Sequence, residues 1–146
     1  MPFGATLALR WQIETTLKIL IVDDNAAVRA LIRRIVLPFA DEIWECTDGA
    51  DGLAAYHAQR PDVVLMDIRM KRMDGIEATK QIRAVHPTAN IVMLTDYDDD
   101  VLRDTALSAG ACGYTLKDNL LNLVRLLEEM RGRTPGQREL QQRRTE

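Results

Sequence analysis

Five side chains in this sequence occupy equivalent places and together suggest one chemistry. Asp23 and Asp24 follow the apolar run Lys18–Val22, and Asp67 follows Asp62–Met66. Thr95 follows Asn90–Leu94, and Lys117 follows Cys112–Leu116. If these runs are parallel strands, the residues after them share one edge of a sheet, the edge where open α/β folds bind ligands. Three carboxylates crowded there cannot all stay ionised without compensation. A divalent cation is the natural compensation, and oxygen-only donors favour magnesium, or manganese in its place, over zinc. The same cation would neutralise an incoming phosphoryl group, with Lys117 as a second positive contact. A carboxylate nucleophile, a magnesium ion, a lysine and a hydroxyl are what phosphoryl transfer onto aspartate requires. A lone aspartate after a strand is usually a turn or helix-cap residue, but caps have no reason to share an edge with Lys117. Nucleotide folds are a poor fit: Asp23-Asp24-Asn25 would repel a phosphate, and neither G-x-G-x-x-G nor G-x-x-x-x-G-K-[ST] occurs.

The elements that must position these residues are legible in the hydrophobic pattern. The runs Lys18–Val22, Asp62–Met66 and Asn90–Leu94 are short, rich in β-branched residues and lack alternation, as strands buried on both faces do. Glu42–Cys46 is more mixed and reads as an edge strand. Between the strands lie helical patterns. Ala26–Leu37 places Val28, Leu31, Ile32, Ile35 and Val36 on one face and stops at Pro38. Ala50–Gln59 ends before Arg60-Pro61, and Gly75–Val85 before His86-Pro87. Asp98–Ala109 starts in an acidic turn and ends at Gly110. Asp118 is placed to cap a last helix running to about Arg131, whose stripe is Leu120, Leu123, Val124, Leu127 and Met130. A strand followed by a helix, five times over, predicts an α/β fold: a doubly wound parallel sheet with helices on both faces.

Composition sets the outer limits. The chain has 146 residues, 47% apolar, 28% charged and 5% aromatic, enough for one ordinary core. Residues 1–130 hold 14 Lys and Arg against 20 Asp and Glu, a net of −6, while residues 131–146 carry five arginines against two glutamates, a net of +3. An acidic body argues against nucleic-acid binding over most of the chain. No apolar stretch suits a membrane span or a basic-then-apolar signal peptide. Cys46 and Cys112 make no disulfide framework and read as small buried residues, so a reduced, cytoplasmic protein is expected. His57 and His86 read as surface residues, and Met66, Met70 and Met73 as core and loop packing.

From Leu17 to about Arg131 the chain resembles the receiver domain of two-component response regulators. The likeness is carried by Ile21-Val22-Asp23-Asp24, Met66-Asp67-Ile68-Arg69-Met70, Met73-Asp74-Gly75, Leu94-Thr95 and Gly113-Tyr114-Thr115-Leu116-Lys117. It implies a flavodoxin-like fold, a five-stranded parallel sheet of order 2-1-3-4-5. It implies that Asp67 is the phospho-acceptor, taking a phosphoryl group from a phosphohistidine of a sensor histidine kinase or a histidine phosphotransfer protein in a phosphorelay. Asp23, Asp24, Asp67 and the backbone carbonyl of Arg69 would hold the magnesium, and Lys117 would pair with the phosphoryl oxygens. Thr95 would turn toward the new group and Tyr114 would rotate inward behind it as a switch. Such a protein assists its own phosphorylation and dephosphorylation without being a conventional enzyme.

Several positions depart from the family pattern. Lys71-Arg72 puts two cations near the acceptor, and Asp96 adds a carboxylate after Thr95. Arg69 and Tyr97 occupy places that tune water access, where an arginine and a tyrosine would hinder attack by water. Asp118 follows Lys117 where many receivers have proline. The Gly-Tyr-x-Leu-Lys-Asp run resembles receivers that precede a LuxR/NarL-type helix-turn-helix effector, yet residues 132–146 show no such pattern, so a DNA-binding output is not expected in this chain. The expected organisation is an extension over 1–16, the receiver over 17–131, and a basic tail or linker stub over 132–146. Output through a downstream protein or a homodimer is expected at the face of the fourth helix, fifth strand and fifth helix, where Leu121 and Leu126 fall off the buried stripe. The N-terminal arm, with Phe3, Leu7, Leu9, Trp11 and Ile13, would suit the same face. Two alternatives are a haloacid-dehalogenase-like phosphatase, which would need Asp-x-Asp after the first strand and a cap domain, and a degenerate receiver acting only as an interaction module.

Overall fold

The computed structural model describes residues 16–132. The N-terminal arm and the basic tail, and the expectations placed on them, lie outside the described residues. Five strands form one parallel sheet: β1 (Leu17–Val22), β2 (Ala40–Cys46), β3 (Val63–Met66), β4 (Ile91–Thr95) and β5 (Gly113–Leu116), in the order β2-β1-β3-β4-β5. The helices are α1 (Ala26–Val36), α2 (Gly52–Gln59), α3 (Gly75–Val85), α4 (Asp100–Ser108) and α5 (Leu120–Arg131). This is the doubly wound, flavodoxin-like architecture expected from the sequence.

Strand alternation divides the core in two, because successive side chains point to opposite faces. Leu20, Val22, Val64, Met66, Ile91 and Met93 pack with Tyr56 of α2, Ala78 and Ile82 of α3, and Ala106 of α4. Leu17, Ile19, Ile21, Val63, Leu65, Val92 and Leu94 face the other way, onto Ile32 and Val36 of α1 and Leu123 and Leu127 of α5. Each fully buried leucine or isoleucine contributes about 2 kcal/mol relative to exposure. With both sheet faces covered, the inner strands have no solvent face, which is why their sequences are continuously apolar.

Element ends follow local chemistry. Asn25 caps α1, its side chain accepting from the Val28 amide at 3.0 Å. Asp74 caps α3 through the Glu77 amide at 2.8 Å. Asp99, one residue beyond the expected start, caps α4 through the amides of Val101 and Leu102. Gly110 closes α4 at φ 110°, a backbone state that side chains disfavour.

Several sequence expectations need correction. Asp118 does not cap α5: the ladder bond from the Lys117 amide to the Thr95 carbonyl, 2.8 Å, carries the strand past Leu116. The cap therefore falls one residue later, at Asn119, without a side-chain bond. Helix α2 begins at Gly52, behind a single 3-10 turn over Gly49–Asp51. Leu31 is 48% exposed, since it leads Ile32 by one residue, about 100° around the helix, and falls on the solvent flank. Neither cysteine is fully buried. His86 is buried, its ring 4.8 Å from Tyr56 and its Nε2 3.4 Å from His57 Nδ1, while His57 is exposed. Burial, with the charges of Arg60 and His57, holds His86 below the usual histidine range. Among the described residues no helix is long and apolar enough to cross a membrane.

Candidate functional site

The sheet brings the expected residues to one edge by extending its ladder a step past the strands. Val22 is level with both Cys46 and Met66. One residue later the Asp23 amide donates to the Cys46 carbonyl at 3.1 Å and the Asp67 amide to the Val22 carbonyl at 2.8 Å. The Lys117 amide donates to Thr95 in the same way. Residues outside the strands are thus held with strand-like precision, and their side chains converge.

Asp23, Asp24 and Asp67 form a cluster in which one carboxylate oxygen from each lies within 4.8 Å of the others. Asp23 and Asp67 are buried and Asp24 is exposed, so the cluster opens to solvent on the Asp24 side. Lys117 Nζ lies 2.8 Å from Asp23 Oδ2 and 3.2 Å from Asp67 Oδ1. Asp67 Oδ1 also accepts from the Ile68 amide at 2.9 Å. Burial and the neighbouring Asp23 charge push the Asp67 carboxyl up to about 6, with Lys117 working against them. Burial disfavours the Lys117 charge, but Asp23 and Asp67 outweigh it and hold the ammonium above its usual range.

Three carboxylates against one ammonium leave two negative charges, and a divalent cation is of the right charge to neutralise them. The donors are all oxygens, and one carboxylate is already strained toward its neutral form. The residues present therefore fit a hard divalent cation.

Gly75 sets the floor of the site. Its amide donates to the Ile68 carbonyl at 2.6 Å, and a Cβ there would overlap the Asp67 carbonyl oxygen and sit 2.8 Å from Met66 Cγ. We expect Gly75→Ala to displace the backbone of Asp67, costing about 1–3 kcal/mol in urea unfolding. It should also weaken divalent-cation binding by calorimetry.

On the far side of the cluster, Thr95 is fully buried and its Oγ1 accepts from the Tyr97 amide at 3.1 Å. The Tyr114 hydroxyl donates to the Tyr97 carbonyl at 2.6 Å, and Tyr114 is buried. Thr95 and Tyr114 thus grip the two sides of one residue. Arg69 stacks its guanidinium 4.5 Å from the Tyr97 ring centroid, bridging the loops after β3 and β4. Asp96 is exposed and stands outside the three-carboxylate cluster. Arg72 pairs with Asp51 at 2.9 Å, and Lys71 is exposed. Both line a cavity of about 370 Å³ with Asp24, Thr47 and Asp48.

The motif-bearing stretch that makes this edge matches a known family: residues 19–130 correspond to the response regulator receiver domain. The chain belongs to that family. As a receiver domain it belongs to two-component signalling, and its role is regulatory. It is 38% identical over 106 residues to the uncharacterized transcriptional regulatory protein YxjL of Bacillus subtilis strain 168, covering 71% of this chain and 49% of that protein. It is also 38% identical over 104 residues to the response regulator protein VraR of Staphylococcus aureus strain N315, covering 70% and 50%. The chain thus spans about half the length of these curated relatives. Among solved structures, it resembles a LuxR-family two-component response regulator from Aurantimonas sp. SI85-9A1, with a TM-score of 0.75 at 31% identity, covering 88% of this chain and 98% of that one. The chemotaxis protein CheY4 of Vibrio cholerae gives a TM-score of 0.72 at 27% identity, covering 79% and 98%.

Two residues near the site of this receiver carry no clear mark in the sequence. Asp48 is buried and accepts from the amides of Ala50, Arg72 and Met73, tying the loop after β2 to the loop after β3. Its place before Gly49 is the only local signal, and that signal reads as an ordinary turn. Arg29 donates to the Asp23 carbonyl and lies on a helix face that periodicity marks merely as polar.

Proposed function

We propose that this chain is a magnesium-dependent phospho-accepting switch with Asp67 as acceptor. The observation that carries this reading is the buried Asp67 carboxylate, placed in one cluster with Asp23 and Asp24 and contacted by Lys117. A carboxylate oxygen of Asp67 attacks the phosphorus of a phosphohistidine on a sensor kinase or histidine phosphotransfer protein. The new O–P bond forms as the P–N bond breaks, and its electron pair returns to the imidazole. Magnesium, or manganese, would supply charge neutralisation for the cluster and the phosphoryl oxygens, held by Asp23, Asp24, Asp67 and the Arg69 carbonyl. Lys117 then shares its ammonium with the phosphoryl oxygens.

The new group adds up to two negative charges and three strong acceptors beside Thr95. The Thr95 hydroxyl turns toward it and gives up the Tyr97 amide. That release frees the segment that Tyr114 holds by its other side, so the loop before α4 and the Tyr114 ring resettle together. The surface of α4, β5 and α5 is where such a change reaches solvent, and Val101, Leu107 and Leu121 are exposed there. A downstream protein or a second copy of the chain is the expected partner at that face. The receiver unit itself spans 17–131.

The alternative of a degenerate receiver rests on Asp96 disturbing the cluster. Its exposure outside the cluster favours the active reading. The test is intact mass after incubation with acetyl phosphate. A magnesium-dependent gain of one phosphoryl group, ~80 Da, is expected. No gain from acetyl phosphate or from a histidine-phosphorylated donor leaves the interaction-module reading in its place.

The Arg69–Tyr97 stack hinders the in-line approach of water to the phosphoryl group. Tyr97→Ala is therefore expected to shorten the phosphorylated lifetime several-fold, worth about 1 kcal/mol of barrier. The decay of the added mass after donor removal measures it, and an unchanged lifetime would rule out a barrier role for the stack.

A further inference from the structure

Arg29 sits in α1 six residues after Asp23, with its side chain 15% exposed. Its Nη1 donates to the Asp23 backbone carbonyl at 2.7 Å, and its Nε donates to Glu45 Oε1 at 3.2 Å. The other Glu45 oxygen accepts from Arg33 Nη1 at 2.9 Å. Asp23 is thereby gripped at both backbone groups, since its amide is bound to the Cys46 carbonyl. Its Oδ1 accepts from the Asn25 amide at 2.8 Å, which fixes the carboxylate in turn.

The geometry points to Arg29, oriented by Glu45, as a positioning residue for divalent-cation binding at the acidic cluster. The inference rests on the proposal that Asp23, Asp24 and Asp67 hold the cation. Consecutive residues on an extended chain point to opposite sides, so Asp23 and Asp24 serve one ion only if the turn between β1 and α1 is held in one shape. Without an ion their charges push that turn open. Arg29 resists this from below, by holding the Asp23 backbone oxygen and placing no further donor on either carboxylate. Glu45 prevents the guanidinium from swinging onto those carboxylates and competing with the ion.

Two effects of removing Arg29 oppose each other. Losing a nearby positive charge favours cation binding, and losing the grip on the turn disfavours it. Glu45 already neutralises the guanidinium at hydrogen-bond distance, so the electrostatic gain is small and the positioning loss dominates. The sign of the change therefore decides the matter.

The experiment is calorimetric titration of magnesium chloride into the metal-free full chain, with thermal melts of each variant in chelator. Arg29→Ala is expected to weaken magnesium binding roughly tenfold or more, the range typical of residues that orient metal ligands. Arg29→Lys should recover part of the loss, because an ammonium reaches one of the two partners. Glu45→Gln should weaken binding by a smaller factor. Arg33→Ala, which removes a contact to Glu45 alone, should stay within about twofold of the parent. A folded Arg29→Ala protein with parental or tighter affinity overturns the inference, and so does an equal loss in Arg33→Ala. If Arg29→Ala does not fold, Arg29→Lys and Glu45→Gln at parental affinity overturn it instead. A parent chain that binds no magnesium refutes the underlying cation reading, an outcome distinct from all of these.

Discussion

Asp67→Asn is expected to abolish phosphoryl uptake and, in the same protein, to raise stability at neutral pH. Loss of uptake follows from removal of the nucleophilic oxygen, since an amide does not attack phosphorus. The gain in stability follows from the strained carboxyl. Its folded-state value of about 6 lies above the unfolded carboxylate range near 4, so between those limits the folded form binds more protons. Stability of the metal-free protein therefore falls as pH rises through 6, and above that pH the ionised carboxylate costs folding energy. Asparagine removes the charge and with it the cost. The lost contact with Lys117 and the open Asp24 side of the cluster reduce the gain to about 1–2 kcal/mol at pH 7. Urea unfolding at pH 4.5 and 7.5 in chelator checks this: the gap between variant and parent should open at the higher pH. A gap of equal size at both would refute the charge-strain account, and mass gain in the variant would move the acceptor elsewhere.

Removing Lys117 should have the opposite effect on stability. Its ammonium contacts two carboxylates and is 13% exposed. Lys117→Met leaves Asp23 and Asp67 facing each other without compensation. Breaking a fully buried pair typically costs 3–5 kcal/mol, and here solvent access and protonation of Asp67 limit the loss to about 1–3 kcal/mol. Phosphoryl uptake should slow by about a hundredfold, as it does when a preorganised charge-stabilising donor is lost. Magnesium affinity should move the opposite way and tighten, because the ion no longer competes with the ammonium. Initial rates of mass gain and magnesium titration on one preparation test both. Uptake at the parental rate would remove Lys117 from the reaction.

Both predictions concern residues that local sequence pattern alone marks out, and there is a physical reason for that. Strands buried on both faces must be continuously apolar, so the first polar residue after each run marks the sheet edge. Asp23, Asp67, Thr95 and Lys117 are such residues, with Asp24 directly after Asp23, and backbone ladder bonds carry Asp23, Asp67 and Lys117 one step past their strands. The stripe of α5 is equally clear, with Leu123 and Leu127 fully buried.

What local pattern does not contain is what depends on distance between separate elements. Asp118 and Asn119 are both acceptable cap residues, and only the length of the β4–β5 ladder chooses between them. Leu31 fits the apolar period of α1 but lies beyond the width of surface that the sheet and α5 cover. His86 looks like a surface residue until Tyr56 and His57 of α2 are packed against it.

Short continuous apolar runs and the 3.6-residue helical period were therefore enough to read the order of elements, the two covered sheet faces and the groups on the reactive edge. Only the assembled sheet sets the strained protonation of Asp67, the Arg69–Tyr97 bridge and the hold of Arg29, braced by Glu45, on Asp23. Hydrogen bonds and ion pairs act over about 3 Å. Residues as far apart in the chain as Arg29 and Glu45, or Asp23 and Lys117, come that close only once the whole sheet is assembled.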